Sequence, residues 1–172
     1  KLASEGVDEL AVVCDALNTL KKSFTDLHGY DSCMFNPFGL VADANCTATG
    51  ITENQARTFS RLFGSLDFAC GPGFTQYWDV EMDVRNLNCL SNVFRDHLAD
   101  LRTCQSEFEN DFTQNGAEKC SYQSQSTNCF AQYFFRCGPQ AQWFGCEYQR
   151  VGLQSGWGNC GQDFCNFELG LL

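Results

Sequence analysis

Basic residues are scarce in this chain: 11 Lys and Arg stand against 21 Asp and Glu, leaving a net charge of −10. A surface of that sign repels phosphate backbones and anionic lipid headgroups, so neither nucleic acid nor a membrane surface is an expected partner. Histidine is rarer still, His28 and His97 being the two in the chain. No Cys-x2-Cys pair occurs, and the closest cysteines are Cys160 and Cys165. That spacing, with so few imidazoles, speaks against a structural zinc site, and no metal or cofactor is expected. Missing too is a run of the ~20 apolar residues that a membrane-spanning helix needs. The first residues, Lys1-Leu2-Ala3-Ser4-Glu5-Gly6, lack the basic-then-apolar pattern of a leader, as expected of the mature form of an exported chain. There is no Gly-x-Ser-x-Gly nucleophile elbow, and no strongly alternating run marks a strand.

Cysteine, by contrast, is abundant, with 12 in 172 residues: Cys14, Cys33, Cys46, Cys70, Cys89, Cys104, Cys120, Cys129, Cys137, Cys146, Cys160 and Cys165. An even count at this density predicts six disulfides formed in an oxidising compartment, and therefore a secreted, extracellular protein. At ~2–4 kcal/mol each, six bridges rival the net stability of a typical domain, so resistance to heat and proteases is expected. Length points to one domain, residues 1–172, large enough to bury a core that the crosslinks reinforce. Spacing does not reveal the pairing. Cys129 and Cys137, however, stand on one expected helix ~12 Å apart by the helical rise, too far to bond each other. Asn45-Cys46-Thr47 is an N-glycosylation sequon, in keeping with a secretory route and a glycan on Asn45.

Apolar periodicity predicts an all-α fold. Val7, Leu10, Cys14, Leu17, Leu20, Phe24 and Leu27 recur at helical steps over residues 5–27, with Ser4 as N-cap and Gly29 as C-cap. Residues 34–50 read as a long loop pinned by Cys33 and Cys46. Thr52 and Gln55 form a capping box for a helix over 52–70, which Gly71-Pro72-Gly73 stops. Residues 75–110 give one long helix or two nearly collinear ones, weakest at Asn86-Leu87-Asn88. The Gln-, Ser- and Asn-rich residues 114–128 read as a second loop, tied by Cys120. Asn128 then caps a short helix through Cys137, and Pro139 opens another carrying Trp143, Phe144, Cys146 and Tyr148. Gly152, Gly156, Gly158 and Gly161 make residues 152–165 a glycine-rich tail stapled by Cys160 and Cys165.

The apolar run after Cys70 ends in Asn88-Cys89-Leu90, and is followed by Cys104, Cys120, Asn128-Cys129 and Cys137-Gly138-x-x-Ala141. This pattern resembles the twelve-cysteine secreted helical domain of unknown function that is expanded in nematodes and scattered through other invertebrates. The resemblance covers about residues 14–146 and implies a helical fold and secretion. It implies no catalytic residues, and the glycine-rich stretch Val151–Leu172 departs from it.

Chemistry-bearing side chains are few. His97, on or near an apolar helix face beside Arg95, is the candidate general base if the protein is an enzyme. Asp79, Glu81 and Asp83 read as first-turn acids, and Glu107, Glu109 and Asp111 as a solvated face. The aromatics are the stronger clue. Sixteen Phe, five Tyr and three Trp exceed what a small helical core needs. Phe130, Tyr133, Phe134, Trp143, Phe144, Trp157 and Phe164 are the expected ligand-binding set. Because helical neighbours point ~100° apart, Phe134 and Phe135 do not both face one core. These features predict non-catalytic binding of an apolar small molecule or an extracellular protein. The alternatives are a small secreted luciferase or cofactor-independent oxygenase working through His97 and Arg95, and a self-assembling extracellular structural protein.

Overall fold

A computed structural model describes residues 2–28, 51–73, 84–161 and 165, and among them all regular structure is helical. The six α-helices among the described residues are α1 (Leu2–His28), α2 (Glu53–Cys70), α3 (Val84–Asp96), α4 (Leu98–Gln114), α5 (Lys119–Phe134) and α6 (Pro139–Trp157). Short 3-10 turns at Gly116–Glu118 and Phe135–Cys137 lead into α5 and out of it. None of the described helices is long and apolar enough to cross a membrane.

α2 starts where its capping box places it: Thr52 Oγ1 accepts from the Gln55 N–H at 3.3 Å, and Gln55 Oε1 accepts from the Thr52 N–H at 2.9 Å. Its Ala56, Ser60, Phe63, Ser65, Phe68 and Ala69 are buried. α6 begins with Pro139 at its first position after Gly138, whose φ of 101° suits glycine alone. α2 packs chiefly on α6, α6 on α5, and α5 on α4. The central core joins Phe68, Leu90, Val93, Leu101, Phe130, Phe134 and Phe144. Phe108, Leu153 and Trp157 form a second cluster.

Four expectations are corrected. The glycine-rich tail does not begin at residue 152, because α6 runs on to Trp157. Gly152 and Gly156 are buried there because they let α2 approach: a Cβ on Gly156 would lie 2.7 Å from the Arg57 carbonyl oxygen. Arg57 Nη1 and Ser65 Oγ then reach across to the carbonyls of Gly156 and Tyr148, each at 2.9 Å. The loop expected over 114–128 gives way at Lys119 to α5, which runs to Phe134 with Asn128 in its interior and not at a cap. Three of the polar side chains that suggested a loop, Gln123, Ser126 and Thr127, point inward and are hydrogen-bonded. Gln123 Nε2 donates to Gly158 O at 3.1 Å, Ser126 Oγ to Cys104 O at 3.0 Å and Thr127 Oγ1 to Gln123 O at 2.9 Å.

The third concerns the interruption between α3 and α4, which falls at His97 and not at Asn86-Leu87-Asn88. His97 takes φ −114° and ψ 20°, yet its N–H still donates to Val93 O and its carbonyl accepts from Leu101 N, both at 2.9 Å. The chain therefore bends there while keeping its hydrogen bonds. At the other end of the chain α1 already runs from Leu2, which puts Ser4 inside the helix.

Every described cysteine is paired. Cys14–Cys70 ties α1 to α2, Cys89–Cys137 ties α3 to the turn after α5, and Cys104–Cys129 ties α4 to α5. Cys120–Cys160 fastens the residues after α6 to the start of α5, and Cys146–Cys165 fastens Cys165 to α6. Gly29, the loop at 34–50 with Cys33, Asn45 and Cys46, the acids Asp79, Glu81 and Asp83, and Phe164 lie outside the described residues.

Candidate functional site

Because α2 rests on α6 and α4 on α5, a groove of about 370 Å³ remains between α2 and α4. α2 contributes Thr58, Arg61 and Leu62 to one wall, and α4 contributes Leu98, Leu101, Arg102, Gln105, Ser106 and Glu109 to the other. Phe94, Phe130 and Tyr148 supply rings from α3, α5 and α6. These rings are fixed against one another: Tyr148 lies 5.3 Å edge-on to Phe94 and stacks on Phe130 at 6.0 Å between centroids. Leu62 and Leu98, 43% and 45% exposed, make an apolar rim where water would ordinarily meet polar side chains.

Polar side chains share the lining with the apolar ones. Arg61 is half-buried, its Nε sealed from solvent with no hydrogen-bond partner. Among the described residues it forms no ion pair. Burial pushes its guanidinium below the ordinary value, while Tyr148 and Glu109 pull it back up. Burial likewise holds the Tyr148 hydroxyl protonated to higher pH than usual, with Arg61 opposing. Glu109 is engaged elsewhere, its Oε1 accepting from Gln105 Nε2 at 2.7 Å. From Gln105 a polar chain runs into the core: Gln149 Nε2 donates to Gln105 Oε1 at 2.7 Å and to Ser126 Oγ at 2.9 Å. The groove thus carries two arginines against one glutamate, in a protein whose net charge is −10.

Of the seven aromatic residues expected to bind a ligand, Phe130 lines the groove. Phe134 and Phe144 are buried in the central core, against Phe94 at 5.2 Å and Phe68 at 5.6 Å respectively. Trp157 belongs to the second cluster, edge-on to Phe108 at 5.0 Å. Trp143 is half-buried against Phe68 and beside Cys146–Cys165. Tyr133 sits with His97, ring to ring at 5.2 Å. The set is divided among separate clusters, and Phe135 is the one of the adjacent pair turned outward, at 69% exposure.

His97 and Arg95 stand outside the groove. Arg136 Nη2 lies 2.9 Å from His97 Nε2, and since a guanidinium only donates, that nitrogen is the acceptor. The proton is then on Nδ1, which donates to Asp100 Oδ2 at 3.1 Å. Arg95 Nε is exposed and paired with Asp96 Oδ1 at 2.8 Å, a hydrogen bond that holds the Asp96 carboxyl below the usual carboxylate range. Neither residue converges with the other on a cavity. Among the described residues no cluster of His, Cys, Asp or Glu is arranged to hold a metal ion.

Arg61, Tyr148 and the leucine rim drew no attention as a site in the sequence, where one arginine on a helix reads as a solvated charge. The available signal was Arg61 at a helical step from Ser65 and Phe68 on the α2 face that meets Gly152. No protein-family model, curated protein or solved structure matches this chain.

Proposed function

We propose that this is a secreted, non-catalytic binding protein that takes an apolar small molecule in the groove between α2 and α4. The observation that carries the reading is the groove itself: aromatic rings and leucines, an exposed leucine rim and a half-buried arginine whose Nε is sealed, in a volume within the ~300–1,000 Å³ range of small-molecule sites. Five disulfides among the described residues support an oxidising compartment. A binding role without chemistry is supported by His97, whose ring nitrogens are spent on Asp100 and Arg136 away from the groove.

Titration with a neutral fluorescent apolar probe tests it. Binding is expected, and Ser106→Trp, which places an indole over the groove from an exposed position, is expected to weaken it about tenfold or more. A probe that does not bind, or binds equally well to both proteins, overturns the reading. An extracellular protein partner is the second reading, favoured by the outward ring of Phe135. Under that reading Phe135→Ala, not Ser106→Trp, is the damaging change.

A further inference from the structure

We infer that the ligand of this groove is an amphipathic monoanion, an alkyl or aryl carboxylate whose head group pairs with Arg61 while its apolar body lies between Leu62 and Leu98. The inference rests on the groove being a small-molecule site and adds the chemistry of what fills it.

A guanidinium withdrawn from water is costly unless paired and hydrogen-bonded, and structures that keep one ordinarily give it an anion. Arg61 has neither an ion pair nor, at Nε, a hydrogen bond among the described residues. Glu109, the nearby candidate, is held at Oε1 by Gln105 and neutralises Arg61 only from a distance. The arginine is also fixed in place. A Cβ on Gly152 would stand 3.1 Å from Arg61 Cγ and 3.0 Å from Arg61 O, so glycine at that position makes the room in which the arginine stem lies. Its planar fork suits a carboxylate, to which it offers parallel N–H donors.

The surroundings narrow the class further. Phe94, Leu101 and Phe130, with the Leu62 and Leu98 rim, offer an apolar surface to a hydrocarbon body beside the polar Thr58, Gln105 and Ser106. One net positive charge in the lining suits a monoanion, while the −10 of the whole chain disfavours a polyphosphate approaching it. Tyr148 adds a neutral O–H donor beside the head group.

The deciding experiment is displacement of the neutral probe by dodecanoate, dodecanol and dodecylammonium at neutral pH, which share one chain and differ in the head. Dodecanoate is expected to displace at about tenfold lower concentration than dodecanol, and dodecylammonium worst of all. In Arg61→Met, checked for native helicity by circular dichroism, the preference for dodecanoate over dodecanol is expected to fall to about one, and Arg61→Lys to restore part of it. Equal displacement by dodecanoate and dodecanol in the unaltered protein overturns the inference while leaving the groove as a small-molecule site. Absence of probe binding overturns both. Should Arg61→Met fail to fold, the head-group order in the unaltered protein still decides.

Discussion

Gly152 shows how much of this fold depends on an atom that is not there. Helix propensity alone favours alanine over glycine by ~1 kcal/mol in a helix interior. At Gly152, however, a Cβ would collide with the Ser65 hydroxyl, which is committed to Tyr148 O at 2.9 Å, and press on the Arg61 backbone. Gly152→Ala is therefore expected to destabilise the protein by about 1–3 kcal/mol, against propensity. Gly116→Ala, where the nearest atom would be Phe112 Cε2 at 3.6 Å, is expected to be neutral or slightly stabilising. Urea midpoints for the two variants check both signs. Gln149 makes a comparable case from the polar side. Its amide nitrogen serves Gln105 Oε1 and Ser126 Oγ in the interior, so Gln149→Leu strands buried acceptors and should cost about 1–3 kcal/mol in the same assay. Tyr148 gives a pH dependence. Burial raises its hydroxyl above the ordinary value of 10.0. Below about pH 10 the phenol is neutral in folded and unfolded chains alike, and its contribution is fully present. Above that the unfolded chain loses a proton that the folded chain keeps, so stability falls as pH rises. Tyr148→Phe is expected to lose less stability than the parent across that alkaline range, measured as urea midpoints against pH.

Among the helices, α1 is held differently from the rest. Of its described side chains Leu17 is buried, while Val12, Val13 and Leu20 are 68%, 43% and 40% exposed. Its attachments among the described residues are Cys14–Cys70, the Lys21–Asp67 ion pair, the packing of Leu17 with Phe63 and an approach to α3. Replacing both Cys14 and Cys70 by serine is therefore expected to release α1 to proteolysis while α2 to α6 stay protected, as hydrogen exchange would show. A loss of protection spread evenly over all helices would contradict this. The same contrast explains what the sequence made legible. α2 could be read to the residue because its capping box and apolar face agree. α5 could not, because the first half of its inward face is Gln123, Ser126 and Thr127 before Phe130, Ala131 and Phe134 continue it. The helical period is there, but it is written in polar residues whose partners lie on other elements. The end of α6 was missed for the opposite reason, glycine having been read as flexibility where it permits close packing. Arg61 was missed because its isolation is a property of the groove and not of its neighbours in sequence.

At the scale of the molecule, apolar burial is divided among several clusters, and the described disulfides tie helices to one another or fasten the residues after α6 to a helix. Cys104–Cys129 fixes α4 beside α5, and so sets the distance from α4 to α2 that defines the groove. The described bridges close intervals of 56, 48, 25, 40 and 19 residues. In the chain-entropy account each interval of this length removes roughly 3–4 kcal/mol of freedom from the unfolded ensemble. Overlapping bridges do not add in full, but even about 10 kcal/mol together is comparable with the whole net stability of an ordinary domain. For a chain of this size that corresponds to roughly 20–40 °C in Tm. Reduction with a thiol, followed by alkylation, is thus expected to lower the melting temperature by that order and to abolish binding of the neutral probe at temperatures where the oxidised protein binds it. Near-ultraviolet circular dichroism, which reports the fixed packing of rings such as Tyr148 on Phe130, should fall along with probe binding. A reduced protein melting within about 5 °C of the oxidised one would mean that the clusters hold the groove open by packing alone, and that the bridges protect the folded chain without determining its stability.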